Sequence, residues 1–166
     1  PLAEAVAARL LEKSGPDDVR TGYARSALAS LYQRLGRAAE AETVLRAVLD
    51  SRLRVMGENH AATLAVRERL ATSLSDLSRH EEAIAQARRA AAGTRKLLGN
   101  DTRDTLSCLL VLSQVLARAG QGAEALALAE EILQRQDRAL EPDHPNRLEY
   151  ARHYAQLREK DAKAPP

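Results

Sequence analysis

The sequence predicts an all-α solenoid of stacked antiparallel helix pairs, about eight helices in all, and three observations carry that prediction. Ala, Leu, Arg and Glu dominate the 166 residues, while Phe and Trp are absent and only four Tyr occur. Strands favour β-branched and aromatic residues, so this mixture points to helices with small, closely fitted contacts. A pattern recurs at a constant offset of 42 residues, and single glycines fall in phase with it.

The repeat is carried by many independent columns. Gly15, Gly57 and Gly99 share one, with Glu141 in the fourth place, inside "GPDDVRT", "GENHAAT", "GNDTRDT" and "EPDHPNR". Leu28, Leu70, Leu112 and Tyr154 form a second, and Ala29, Ala71, Ser113 and Ala155 a third. Leu31, Ser73, Val115 and Leu157 follow, then Gly36, Ser78 and Gly120, then Ala41, Ala83 and Ala125. Composition alone does not hold glycines and loops in phase, so the columns mark a structural unit that is copied.

The elements follow in order. "LAEAVAARLLEKS" near the N-terminus aligns with a second helix lacking its first, a half repeat over 1–14. The first complete repeat, about 18–56, has one helix from about Asp18 to Leu35 and another from about Ala38 to Met56, with the turn at Gly36. The repeats over about 60–98 and 102–140 place helices at 61–77 and 81–98, then at 103–119 and 123–140. Asp18 and Thr102 are suited to accept hydrogen bonds from free N–H groups at a helix start, and Pro145 fits a first helical position. Gly36 and Gly120 suit the left-handed residue that ends a helix. A closing first-type helix over 145–160 completes a single repeat domain over 1–160, and 161–166, "DAKAPP", reads as a tail.

Packing explains why the spacing is kept. Small residues at 29, 71 and 113 on first helices, and at 41, 83 and 125 on second helices, let two backbones approach closely. Leu28, Leu31, Tyr32 and Leu35 are expected to interdigitate with Val44, Leu45 and Val48 at helical spacing. A lone pair cannot bury this surface, whereas stacked pairs can.

Leu28, Ala29, Tyr32, Gly36, Ala41 and Leu45, with "GENHAATL" and "EPDHP" as loops, resemble the tetratricopeptide repeat (TPR), and the 42-residue period is similar to the subtype of kinesin light chains. The resemblance implies a right-handed superhelix whose first helices line the concave surface. A HEAT or armadillo solenoid has a similar period, but the small-residue columns and glycine turns favour the TPR reading. By analogy with such arrays in bacterial signalling proteins, the resemblance also implies a fragment of a larger bacterial multidomain protein.

That resemblance sets the candidate site on the first helices. The expected concave positions are Tyr23, Ser26, Ser30, Gln33 and Arg34 in the first repeat, with Glu68, Thr72 and Asp76 (beside Ala65 and Ser75) in the second. The third gives Ser107, Leu110, Gln114 and Arg118, beside Ala117. Each set lies on one helix face by its spacing of three, four or seven residues. Such a face suits an extended or helical peptide. Arg34, Asp76 and Arg118 form a row of alternating charge that reads as a surface ion-pair ladder or a polar contact row, and Lys160 stands in the fourth place. Ser26, Ser30, Arg69, Ser107 and Val111 stand where chaperone-tail binders carry a Lys and Asn clamp, and only Arg69 has a suitable charge. The asparagines of kinesin light chains are likewise replaced.

Other functions find little support. No catalytic residue is assigned. His60 and His144 share a loop column and read as structural; "HEEAI" lacks the second His of a zinc-protease helix; no phosphate loop appears. Cys108 aligns with Ala24 and Val66 and reads as a packed thiol. No metal and no cofactor is therefore expected. A formal charge of +2, without a basic stripe, argues against nucleic acid. No apolar run spans a membrane and no signal peptide is seen, so a cytoplasmic location is expected.

The expected function is a non-catalytic module that binds a protein or peptide. The alternatives are self-association, through an uncovered stripe of Leu2, Val6, Leu10 and Leu11 on the first helix, and a regulatory or scaffold segment within a larger signalling protein.

Overall fold

The structure, a computed structural model, describes residues 2–141 and 144–162. It contains α1 (Leu2–Ser14), α2 (Val19–Arg34), α3 (Ala38–Val55), α4 (Ala61–Asp76), α5 (His80–Leu98), α6 (Arg103–Arg118), α7 (Gly122–Ala139) and α8 (Pro145–Ala162), and no strand among the described residues. Consecutive helices pack against one another along the whole chain, and α4 also touches α6, as α6 touches α8. The result is two layers, with α2, α4, α6 and α8 in one and α1, α3, α5 and α7 in the other. The last helix runs two residues into the stretch expected as tail. Residues 163–166 of that tail, and Pro142 and Asp143 of the last loop, lie outside the described residues.

Each junction has a local cause. At the start of the first-layer helices, Asp18 accepts from the Arg20 N–H and Thr102 from the Thr105 N–H. His60 and His144 occupy the same column and act alike, each accepting through Nδ1, from Ala62 N–H at 3.1 Å and Asn146 N–H at 3.2 Å. Between the helices of a pair, Arg37 N–H donates to Tyr32 O, Arg79 N–H to Leu74 O and Gln121 N–H to Leu116 O, each at 2.9 Å. This six-residue closure needs a left-handed residue in the turn. Gly36 and Gly120 supply it at φ of 71° and 80°, and Ser78 does so at 58°.

A threonine column locks the loops onto the stack. Thr21, Thr63 and Thr105 are fully buried, and each Oγ1 donates to a backbone carbonyl: Leu10 O at 3.1 Å, Gly57 O at 2.8 Å and Gly99 O at 2.6 Å. These residues stand inside the repeated loop strings, yet their polar side chains give no periodic apolar signal.

The core runs through the small columns: Ala29, Ala71, Ala83 and Ala125 have no exposed surface, and Leu45, Leu70, Leu74 and Leu116 pack around them. Leu31 and Leu35 depart from expectation and are exposed. Their repeat equivalents show why for Leu31: Ser73 faces α2 and accepts from Gln33 Nε2 at 3.0 Å, whereas among the described residues no first-type helix stands ahead of α2 to cover Leu31. Across the second layer, arginines reach acids 36 residues ahead, Arg46 to Glu82, Arg88 to Glu124 and Arg95 to Glu131, at 2.6–2.9 Å. Exposed pairs of this kind contribute about 0–1 kcal/mol each and serve mainly to hold register.

Candidate functional site

The first-layer helices expose one shared strip, and most of the expected site residues lie on it. Tyr23, Arg34, Asp76 and Arg118 are exposed, while Ser26, Ser30, Gln33, Glu68, Thr72, Ser107 and Gln114 are half-buried. Leu110 is a correction: it is buried at 5% exposure, within the core of α6. It occupies the repeat position of Glu68, which points inward between helices, so an apolar residue there is covered. Ser75 is buried as well.

Polar contacts between adjacent first-layer helices organise the strip. From α2, Gln33 Nε2 donates to Arg69 O at 2.9 Å and to Ser73 Oγ. Arg69 of α4 donates back to Ser26 O at 2.8 Å and to Ser30 Oγ. Ser107 of α6 donates to Glu68 Oε1 at 2.7 Å, and Arg118 is ion-paired with Asp76. The row expected of Arg34, Asp76 and Arg118 is thus an ion pair between its second and third members. Arg69, of interest in the sequence only as a lone charge, binds α2 to α4.

Burial sets the electrostatics. Glu68 loses solvent between α4 and α6, which raises its carboxyl above the usual range, against the lowering effect of the Ser107 hydrogen bond. Desolvation depresses Arg69 and Arg52. The Cys108 thiol is buried, with Thr94 Oγ1 at 3.5 Å, and is pushed up to about 12, so it remains an unreactive thiol at neutral pH.

Two of the recesses beside the strip bear on the expected site. One, of about 180 Å³, lies between the N-terminal halves of α4 and α6 and the end of α5, with Leu64, Ala65, Glu68, Thr94, Ser107 and Cys108 among its walls. The other, of about 270 Å³, lies between α6 and α8, against Gln114, Arg118, His153 and Lys160. Among the described residues no group of three His, Cys, Asp or Glu could hold a metal, and no helix is long and apolar enough to cross a membrane.

On α1, Leu2 is 78% exposed and Val6 is exposed, whereas Leu10, expected in the same open stripe, is half-buried and lends its carbonyl to Thr21.

Comparison with solved structures finds the same architecture. The nearly identical TPR-like repeats of a "putative kinesin light chain" from Podosopora anserina match with TM-score 0.82 at 23% identity, over 98% of this chain and 77% of that one. A point variant of those repeats matches with TM-score 0.84 at the same identity, over 98% of this chain and 76% of that one. BtubC (BKLC) from P. vanneervenii matches with TM-score 0.82 at 19% identity, over 97% of this chain and 64% of that one. The comparison with curated proteins returned no match. Two family models, both described as tetratricopeptide repeat, match residues 20–96 and 105–146. With most of its length matched in this way, and with its own helix pairs repeating at a 42-residue step, the chain belongs to the tetratricopeptide-repeat family.

Proposed function

We propose that this chain is a non-catalytic docking module that binds an extended segment of a partner protein along the strip of first-layer helices. TPR repeats in general mediate protein–protein interaction, and the observation that carries this reading is the continuity of the strip. Residues from α2, α4 and α6 that are far apart in sequence, Gln33 with Arg69 and Ser73, Glu68 with Ser107, Asp76 with Arg118, are direct neighbours. Their cross-helix bonds preorganise the surface, so little side-chain order has to be gained on binding. Tyr23, 63% exposed, offers an aromatic contact at the α2 end of the strip. We place this activity in the cytoplasm of the source cell, within a larger bacterial signalling protein.

Selection of a random peptide display library on the protein, repeated with Tyr23→Ala, Arg34→Ala and Thr72→Ala, tests the reading. Enriched peptides that lose affinity tenfold or more in the variants support it; peptides that bind the variants unchanged refute use of this strip.

A second reading is favoured by the exposure of Leu2 and Val6 on α1, which would meet a second copy or a preceding helix. Light scattering decides it: a monomer at high micromolar concentration argues against self-association, and Leu2→Asp should convert any dimer to monomer.

A further inference from the structure

The recess between α4, α5 and α6 has a counterpart one repeat earlier. Subtracting 42 from Ala61, Leu64, Ala65, Thr94, Leu97 and Leu98 gives Val19, Gly22, Tyr23, Arg52, Val55 and Met56, and these residues line a second recess at the end of α3. The two are one repeat position in different states. In the first repeat the space shrinks to about 20 Å³, because Arg52 extends into it and stacks over the Tyr23 ring with its guanidinium carbon 5.5 Å from the centroid. In the second repeat the same two places hold Thr94 and Ala65, and about 180 Å³ is left open. In the third, Leu110 and Tyr150 take the places of Glu68 and Cys108, and both are buried.

The charge of the lining changes along with its volume. At the first junction the charge of Arg52 bears on Arg69, whereas the second recess is lined by the carboxylates of Glu68 and Asp104. Leu64, Leu97, Leu98 and Ala61 form apolar walls that suit an aliphatic stem. The recess is well below the roughly 300–1,000 Å³ of small-molecule sites, so its scale is that of one side chain.

We propose that this recess is a specificity pocket for an arginine side chain on the bound partner segment, its guanidinium held by Glu68 and Asp104. The first repeat shows the fit: there the chain's own Arg52 occupies the matching position and is only 8% exposed. At the second repeat the protein presents the same berth empty and supplies the opposite charge. A planar guanidinium bonds carboxylates in a fork, which a lysine does not reproduce. The proposal rests on the docking strip described above, and it names one residue of the segment that the strip would take.

Titration of the protein with N-acetyl-arginine N-methylamide, followed by amide chemical shifts in ¹⁵N-labelled protein, tests the pocket directly. The isosteric N-acetyl-citrulline N-methylamide, which lacks the charge, is the control. The expected result is saturable shifts centred on Ala65, Glu68, Ser107 and Cys108 with the arginine compound, at least tenfold weaker with citrulline and in the Glu68→Gln/Asp104→Asn variant. Thr94→Arg, which moves a guanidinium of the chain itself into the recess as at position 52, should also abolish the response. Equal responses to arginine and citrulline, or shifts that survive both variants, overturn the proposal. The peptide display separates the two claims: enriched peptides that need the strip but show no preference for arginine overturn the pocket while the strip stands, and the absence of any strip-dependent peptide overturns the strip.

Discussion

The Oγ of Ser113 lies 2.8 Å from Nε2 of His153, and the same hydroxyl lies 2.6 Å from the carbonyl of Ala125. Ser113 stands in the small-residue column that holds Ala29 and Ala71, so one polar atom in an otherwise apolar column ties α6 to both α7 and α8.

The pH response of α8 follows from this contact. Burial lowers the His153 pKa below its ordinary 6.5, and the nearby charge of Lys160 lowers it further. The folded protein therefore binds this proton less readily than the unfolded chain does. The stability that neutral His153 provides is complete above about pH 6.5 and falls as pH drops through the depressed folded value. Hydrogen exchange across Pro145–Ala162 should accelerate in that window while α4 and α5 stay protected, and His153→Gln should flatten the response.

Ser78 tests the turn. It is left-handed at φ 58° where Gly36 and Gly120 stand, and left-handed backbone costs an L side chain about 1–2 kcal/mol. Ser78→Gly relieves that strain but adds about 0.4–1 kcal/mol of unfolded-state entropy. The expected net gain is about 0.5 kcal/mol, read as a melting temperature raised by about 1–2 °C. By the same balance, Gly36→Ala and Gly120→Ala should each cost about 0.5 kcal/mol.

Gly93 probes the wall of the recess. A Cβ added there would come within 2.4 Å of Leu64 Cδ2, and Leu64 borders the open space between α4 and α6. In Gly93→Ala the leucine has room to turn inward, and overpacking of about 1–3 kcal/mol is partly offset by about 1 kcal/mol of helix propensity. Urea denaturation should show a loss no larger than about 2 kcal/mol, and the response to the arginine compound should be lost.

Glu68 carries a cost in the free protein. Its carboxyl is raised, burial being the leading cause, so the folded state holds this proton more tightly than the unfolded chain. Stability from this group is present below the ordinary carboxylate value of about 4.5 and is lost as pH rises through the raised folded value. Glu68→Gln should therefore melt higher than wild type at pH 7, with the difference shrinking below about pH 4.5.

The helix pairs and the stacking were legible because they depend on periodic, local signals: the glycines, the apolar stripe and the small columns repeat without a gap. The loops were legible only in part. His60 and His144 read as structural from their shared column, but their role as helix caps, and the buried threonines, depend on single hydrogen bonds that leave no apolar period. Leu110 and Leu31 were misplaced for one reason: repeat position specifies which way a side chain points, and the neighbouring unit decides whether anything covers it. The recess was invisible in the sequence because it is a difference between copies, Ala65 and Thr94 where Tyr23 and Arg52 stand, and aligning the copies draws attention to what they share.

A perfectly periodic array would offer a ligand the same foothold at every step, and a bound strand could shift by one unit at no cost. Here the foothold is occupied by Tyr23 and Arg52 at one step, filled by Leu110 and Tyr150 at another and vacant between them. For a segment docked as proposed, the irregularity gives the array an origin, a mark from which every other contact along the strand is counted.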